Sequence, residues 1–158
     1  MTHPKEEKTL VILKPDAMHR GLAGEVISRF ERKGLKIVGM KMVQLEDAII
    51  DAHYVHIKDK PFFVGIKNFM KTSPVIVMAL SGINAVDATR LIVGPTKAYE
   101  ALAGTIRGDL SLSTQSNIVH ASDSIESARA EVERFFSPDE IFEYKRNDFD
   151  FINAEEAF

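Results

Sequence analysis

The order of apolar segments along the chain predicts an α+β sandwich of the βαββαβ kind, with a four-stranded antiparallel sheet covered by helices. Three observations carry this. Four short runs of strand length, Thr9 to Leu13, Lys36 to Gln44, Val75 to Leu80 and Asn117 to His120, are separated by stretches of helical period. The third is continuously apolar after Pro74, the pattern of a fully buried, central strand. The helical stretches that follow the first and third strands are able to cover one face of the sheet.

The first strand stops at Lys14-Pro15-Asp16, because proline removes a ladder donor. Leu22 to Lys33 places Leu22, Ala23, Val26, Ile27 and Phe30 at helical spacing and ends on a cation followed by Gly34, a C′ glycine. Lys36 to Gln44 alternates, with Val38, Met40 and Met42 on one face and Ile37, Lys41 and Val43 on the other. Asp47 to Tyr54 and Pro61 to Met70 read as helices, the second with proline at its first position and Phe62, Phe63, Ile66, Phe69 and Met70 inward or partly so. Ala85 to Val93 is helical in period. Gly94 to Leu112 has little period and reads as a functional loop. Asp123-Ser124-Ile125-Glu126 opens a last helix through Phe135, with Asp123 as its N-cap and Ile125, Ala128, Val132 and Phe135 as the buried stripe. The tail from Ser137 mixes aromatics with acids and suits a strap across the surface or a neighbour.

At 158 residues, 45% of them hydrophobic and 27% charged, the composition is that of one globular domain. There is no cysteine, which excludes disulfides, thiolate zinc sites and thiol nucleophiles. Met1 to Lys8 is polar and no long apolar run occurs, so a soluble, cytoplasmic protein with no membrane partner is expected. A net charge of −3 argues against a stable nucleic-acid partner and favours a small polyanion held in a local cluster of cations.

The residues suited to that chemistry are scattered. His120 lies between a short strand and a capped helix, where backbone N–H groups welcome an anion, and imidazole becomes a phosphoryl nucleophile when one ring nitrogen is bare and the other is held. Glu131 is a candidate to hold it, but about 12 Å along a helix axis from its start, so spacing alone does not bring it there. Arg107 stands between glycines in Gly104-Thr105-Ile106-Arg107-Gly108-Asp109 and offers a rigid fork for phosphate. Lys14 sits at a strand end; Arg90 and Thr96 bracket the stiff Gly94-Pro95 turn. Phe62 or its neighbour Phe63 suits base stacking, and a core role suits either. Neither a P-loop nor a dinucleotide fingerprint occurs, and no His or carboxylate cluster has metal-ligand spacing.

Taken together, Lys14-Pro15-Asp16, Arg20-Gly21-Leu22, His53-Tyr54, Lys60-Pro61-Phe62-Phe63, the Gly104 to Asp109 string and Asn117-Ile118-Val119-His120-Ala121-Ser122-Asp123-Ser124 resemble nucleoside diphosphate kinases, in order and spacing over about residues 7 to 144. Residues 145–158 fall outside it. The resemblance implies a ferredoxin-like core, a homo-oligomer with a hexamer favoured over a tetramer, and ping-pong transfer of the terminal phosphoryl group from a nucleoside triphosphate to a diphosphate through phosphorylated His120. It implies that Arg90, Thr96 and Arg107 hold phosphates, that Lys14 and Asn117 meet the ribose hydroxyl and Lys14 also the transferred group, and that Phe62 stacks on the base. Tyr54 stands near the nucleophile, Glu131 orients it with Ser122 nearby, and Mg2+ arrives on the nucleotide phosphates rather than in a protein metal site.

This chain departs from the family pattern at Ala121 and Ala17, where glycine is frequent, and at Lys97-Ala98-Tyr99, where Asn-Pro-Ala commonly follows the loop threonine. Two other functions stay open on these residues: a non-catalytic nucleotide- or RNA-binding module on the same sandwich, and a histidine-dependent phosphatase with water as acceptor.

Overall fold

A computed structural model describes residues 3–154. Its centre is the antiparallel pair β1 (Glu6–Leu13) and β3 (Val75–Ile83), matched from Glu6 opposite Ile83 to Leu13 opposite Ile76. β2 (Lys36–Val43) joins the far side of β3 and the three-residue β4 (Val119–Ala121) joins β1, giving the order β2-β3-β1-β4, antiparallel throughout.

Helices cover both faces of this sheet, not one. Leu10, Ile12, Val77 and Ala79 pack with Ile50 of α3 (Asp47–His53), Phe63 and Met70 of α4 (Phe63–Met70), and Val132 and Phe135 of α7 (Ile125–Phe135). Val11, Leu13, Met78 and Leu80 pack with Ala17 of α1 (Pro15–His19), Val26 and Phe30 of α2 (Ala23–Lys33), Ala85 and Val93 of α5 (Ala85–Val93), and Ile106 of α6 (Ile106–Leu110). The apolar run of β3 requires this, because a strand without polar alternation needs a layer on each side. Each fully buried Leu, Ile or Phe of these layers contributes about 1.5–3 kcal/mol.

Several local expectations shift for identifiable reasons. A bulge between Ile37 and Gly39 breaks the alternation of β2, so Val38 joins Val43 in one cluster while Met40 and Met42 stand exposed beyond it. Proline opens α1 directly after β1, whereas Pro61 lies in a turn and α4 starts at Phe63, which leaves Phe62 outside the core. The N-cap of α7 is Ser124, whose hydroxyl accepts from the Ser127 N–H at 3.0 Å, not Asp123; Ile125 consequently falls on the exposed side. The segment after α5 contains a 3-10 turn at Ala98–Glu100 and the helix α6.

The tail is a strap, as its composition suggests. The Phe142 N–H donates to the Val38 carbonyl at 2.8 Å, Tyr144 Oη to that of Ile37 at 2.8 Å, and Arg146 to that of Leu35 at 3.0 Å, so the strap runs over the edge of β2. It ends in α8 (Phe149–Ile152), which lies against Gly34, the left-handed cap of α2 at φ +104°. The four residues after 154 lie outside the described residues.

Candidate active site

The site is built where α1 and the segment before β4 meet. The Lys14 N–H donates to the Ile118 carbonyl and the Ile118 N–H to Asp16 Oδ2, each at 2.9 Å. The Val119 N–H closes back on the Asn117 carbonyl at 2.9 Å, a γ-turn with Ile118 at φ +74°. This is the rare, strained form of that turn, and for a β-branched residue the conformation costs about 1–3 kcal/mol. Complete burial of Ile118 and the grip of Asp16 hold it. Asn117 and Ile118 thus form the turn that leads into His120, and the strand starts only at Val119.

His120 follows, opposite Ile12 of β1. Its Nε2 lies 3.0 Å from Glu131 Oε2, and Ser122 Oγ donates to the same oxygen at 2.6 Å. Ser122, fully buried, is itself pinned: its N–H reaches the Leu10 carbonyl and its Oγ accepts from the Leu10 N–H, both at 3.2 Å. Burial pushes the Glu131 carboxyl up, but the hydrogen bond and charge of His120 and the Ser122 hydroxyl outweigh it and leave the pKa below the ordinary value. An ionised carboxylate only accepts, so in the neutral ring Nε2 carries the proton and Nδ1 keeps the lone pair.

A cavity of about 650 Å3 opens in front of this ring, lined by Lys14, Tyr54, Phe62, Arg90, Thr96, Arg107, Asn117, His120 and Glu131. Nine of the ten site residues expected from the family resemblance therefore line one cavity, and the tenth, Ser122, bonds Glu131 of that lining. Arg107, buried on α6, gives three N–H groups to the carbonyls of Gly94, Asn117 and Val119 at 3.0, 3.2 and 2.7 Å, which leaves two of its five for a ligand. Gly108 beside it serves the fold: an added Cβ would collide with the Leu102 carbonyl, so the glycine admits backbone and not a ligand. Lys14 Nζ donates to Asn117 Oδ1 at 2.6 Å, and Asn117 Nδ2 to the Thr96 and Thr114 carbonyls at 2.9 and 2.8 Å.

Burial, then the charge of Arg107, lowers the Lys14 pKa to about 8. Burial, then Arg90, lowers that of Arg107 to about 10. Burial also raises the Tyr54 phenol, assisted by Glu131, so it stays protonated. The cations repel one another across space that an anion would fill. Phe62 lines the cavity and is 54% exposed, whereas Phe63 is buried, so of the two only Phe62 offers a ring to the cavity.

A model of the nucleoside diphosphate kinase family matches residues 7–141. The chain belongs to that family. A nucleoside diphosphate kinase of Parabacteroides distasonis is 52% identical over 152 residues, covering 96% of this chain and 99% of that protein. Among solved structures, the Halobacterium salinarum nucleoside diphosphate kinase in complex with CDP superposes with a TM-score of 0.91 at 36% identity, covering 93% of this chain and 98% of that one. The Borrelia burgdorferi nucleoside diphosphate kinase, a transition-state mimic with bound vanadate and ADP, gives 0.88 at 34% identity over 93% and 96%. Where the family frequently has glycine, Ala17 and Ala121 are not among the positive-φ residues, so alanine carries no strain at either position. Lys97-Ala98-Tyr99 leads into the 3-10 turn with Ala98 buried and Lys97 paired to Glu100 at 3.3 Å.

Three participants were not singled out from the sequence. Asp16 reads as part of a strand stop, yet it holds the turn before His120. His53 and Arg134 lie far apart in the chain, and their contact behind His120, at 3.3 Å, has no local signature. Folding also brings ring nitrogens of His53 and His120 and a carboxylate oxygen of Glu131 within 4.8 Å of one another, although nothing in their spacing suggests a cluster.

Asp16→Ala strands the Ile118 N–H and is expected to destabilise the protein by about 1–3 kcal/mol. Asp16→Asn, which keeps an acceptor oxygen, loses less. Urea unfolding measures both, and an alanine variant within about 0.5 kcal/mol of wild type would remove Asp16 from the support of the turn.

Proposed function

We propose that this chain exchanges terminal phosphoryl groups between nucleoside triphosphates and diphosphates by a ping-pong mechanism, with His120 Nδ1 as the carrier. One observation carries the reading: Glu131 occupies Nε2 at 3.0 Å, which leaves a bare Nδ1 on a ring that lines a cation-walled cavity. The Nδ1 lone pair attacks the γ-phosphorus, the bond to the β,γ-bridging oxygen breaks, and its electron pair leaves on the diphosphate. The Nε2 proton stays in the hydrogen bond to Glu131 and stabilises the substituted ring. A terminal oxygen of a second diphosphate then reverses the step. The relatives' bound CDP and ADP with vanadate support a nucleotide in this cavity.

Arg90, Thr96 and Arg107 hold the phosphates in this reading. Lys14 and Asn117 meet the ribose hydroxyl, Asn117 through its carbonyl oxygen since its amide hydrogens are engaged, and Lys14 also meets the transferred group. Tyr54 walls the nucleophile, Glu131 and Ser122 orient it, and Phe62 stacks on the base with no base-specific hydrogen bond. Of the two carboxylates lining the cavity, Glu131 is engaged by His120 and Ser122 and only Asp123 remains at the rim. So small a set of oxygen donors fits Mg2+ that arrives on the nucleotide phosphates and water. Bound there, Mg2+ neutralises phosphate charge.

A homo-oligomer is supported by exposed apolar side chains at Met40, Met42, Leu91 and Leu102, with a hexamer preferred to a tetramer on the family resemblance. A cytoplasmic setting suits the absence of cysteine, and among the described residues no helix is long and apolar enough to cross a membrane. The family match over residues 7–141 is consistent with a single domain.

Incubation with ATP labelled at its γ-phosphorus is expected to give an acid-labile, alkali-stable phosphoprotein that passes its label to GDP, with none on His120→Ala. Label equal in the two proteins, or hydrolysis outrunning transfer at saturating GDP, would sink the kinase reading. In the free enzyme Lys14 loses its proton as pH rises through about 8, so kcat/KM is expected to fall above that pH. Lys14→Met, already low, should show no such step; a wild-type profile flat to about pH 9.5 would contradict the role of Lys14. Sedimentation of the purified protein checks assembly, and a monomer would contradict it.

A further inference from the structure

His53 ends α3 behind the nucleophile, 5% exposed and enclosed by rings: His120 at 4.4 Å between centroids, Tyr54 at 4.8 Å and Phe135 at 5.4 Å, all edge-to-face. Arg134 Nη1 lies 3.3 Å from His53 Nδ1. A guanidinium only donates, so Nδ1 is the acceptor and the proton of the neutral ring sits on Nε2. Burial, then the charge of His120, keeps the His53 pKa down to about 3, with Arg134 adding to both and Glu131 opposing, so the ring is neutral at working pH.

This assignment removes one function and creates another. Ring nitrogens of His53 and His120 and an oxygen of Glu131 lie within 4.8 Å of one another, a set that resembles a metal site. Yet His53 has no lone pair to give, one nitrogen being protonated and the other turned to Arg134. What remains is a buried Nε2–H with no hydrogen-bond partner among the described residues. A phenylalanine fills such a space without leaving a buried donor unmatched, so an imidazole here lowers stability unless the N–H is used. Of the three rings around His53, that of His120 has the nearest centroid, at 4.4 Å and 75° to the His53 plane, and an aromatic face accepts an N–H weakly but directionally.

We propose that His53 is a positioning residue for the transfer reaction, its Arg134-locked Nε2–H donating to the π face of His120 and fixing the rotation of that ring between Glu131 and the cavity. This rests on His120 being the phosphoryl carrier. The ring must hold Nε2 on Glu131 while Nδ1 aims at phosphorus. Ser122 and Glu131 fix one edge only, which leaves rotation about that hydrogen bond to be restrained by whatever touches the face.

The test pairs a direct readout with rapid-quench kinetics. Nitrogen-15 NMR of the whole protein is expected to show His53 neutral, protonated at Nε2, and to show that proton's signal move when His120 is phosphorylated by ATP. A proton on Nδ1, or an imidazolium, overturns the proposal. His53→Phe, which keeps the ring bulk and the fold, is expected to slow phosphoenzyme formation about ten- to a hundredfold, with ATP dissociation unchanged within about twofold. His53→Gln, which restores an N–H, is expected to recover part of that rate. A phenylalanine variant as fast as wild type, or one that loses ATP affinity in proportion to rate, overturns the role of His53 alone. Wild-type protein that forms no phosphoenzyme overturns the kinase reading and this role with it.

Discussion

Everything distinctive in this fold bears on one hydrogen bond, between His120 Nε2 and Glu131 Oε2 at 3.0 Å. It joins the edge strand β4 to the second turn of α7, and it exists only if that helix turns back across β1 immediately after its cap. The reversal needs a sharp, well-satisfied helix start, supplied by Ser124, and a strand short enough to end at Ala121. It also needs the carboxylate to remain charged while partly buried, which the Ser122 hydroxyl secures with a second hydrogen bond on the same oxygen. A carboxylate so placed decides the tautomer of the imidazole, and the tautomer decides which nitrogen faces the cavity.

The strain at Ile118 belongs to the same logic. A regular strand from Asn117 would alternate its side chains and turn either Asn117 or His120 away from the cavity. The positive-φ turn breaks that alternation, letting both line the cavity while Arg107 bridges the backbone carbonyls of Asn117 and Val119 on either side of Ile118. The cost falls on one buried residue and is offset by Asp16, Lys14 and the packing around it. A motif legible as a string of residues is thus also a conformation that residues 14 to 16, a hundred positions earlier, must hold in place.

The four strands and the central place of one of them were legible because they follow from hydrophobic pattern: Val75 to Leu80 announces a buried strand, and the structure sets it inside the order β2-β3-β1-β4. What was not legible arose from tertiary geometry. The bulge at Gly39 has no signature that separates it from an ordinary strand glycine, and it reversed the faces of Met40 and Met42. Helix arithmetic placed Glu131 too far along α7 because it measures distance on one axis, whereas the helix doubles back over the strand carrying His120. Phe62 and Phe63 were equivalent as letters and became opposites once Pro61 proved to sit in the turn before α4. The polar set was assembled from the sequence through resemblance to a family, while the contacts by which Asp16, His53 and Arg134 brace the residues around it cross the fold and show in no linear spacing.

The cavity is graded from end to end, and the gradient constrains what it can discriminate. Arg107 and Asn117 are 8% and 1% exposed, while Phe62 at the far rim is 54% exposed. Electrostatic interactions strengthen as water is excluded, so charge at the inner end is recognised strongly and shape at the outer end weakly. Repulsion of Arg107 with Lys14 and with Arg90 sharpens this, because an arriving polyanion relieves it. A nucleotide placed as proposed would gain most of its binding energy from phosphate, and little from the identity of the flat group on the exposed Phe62 ring. On the proposed placement of the nucleotide, indifference to the base and stringency toward the phosphate chain would both follow from this one distribution of burial, with no separate device for either.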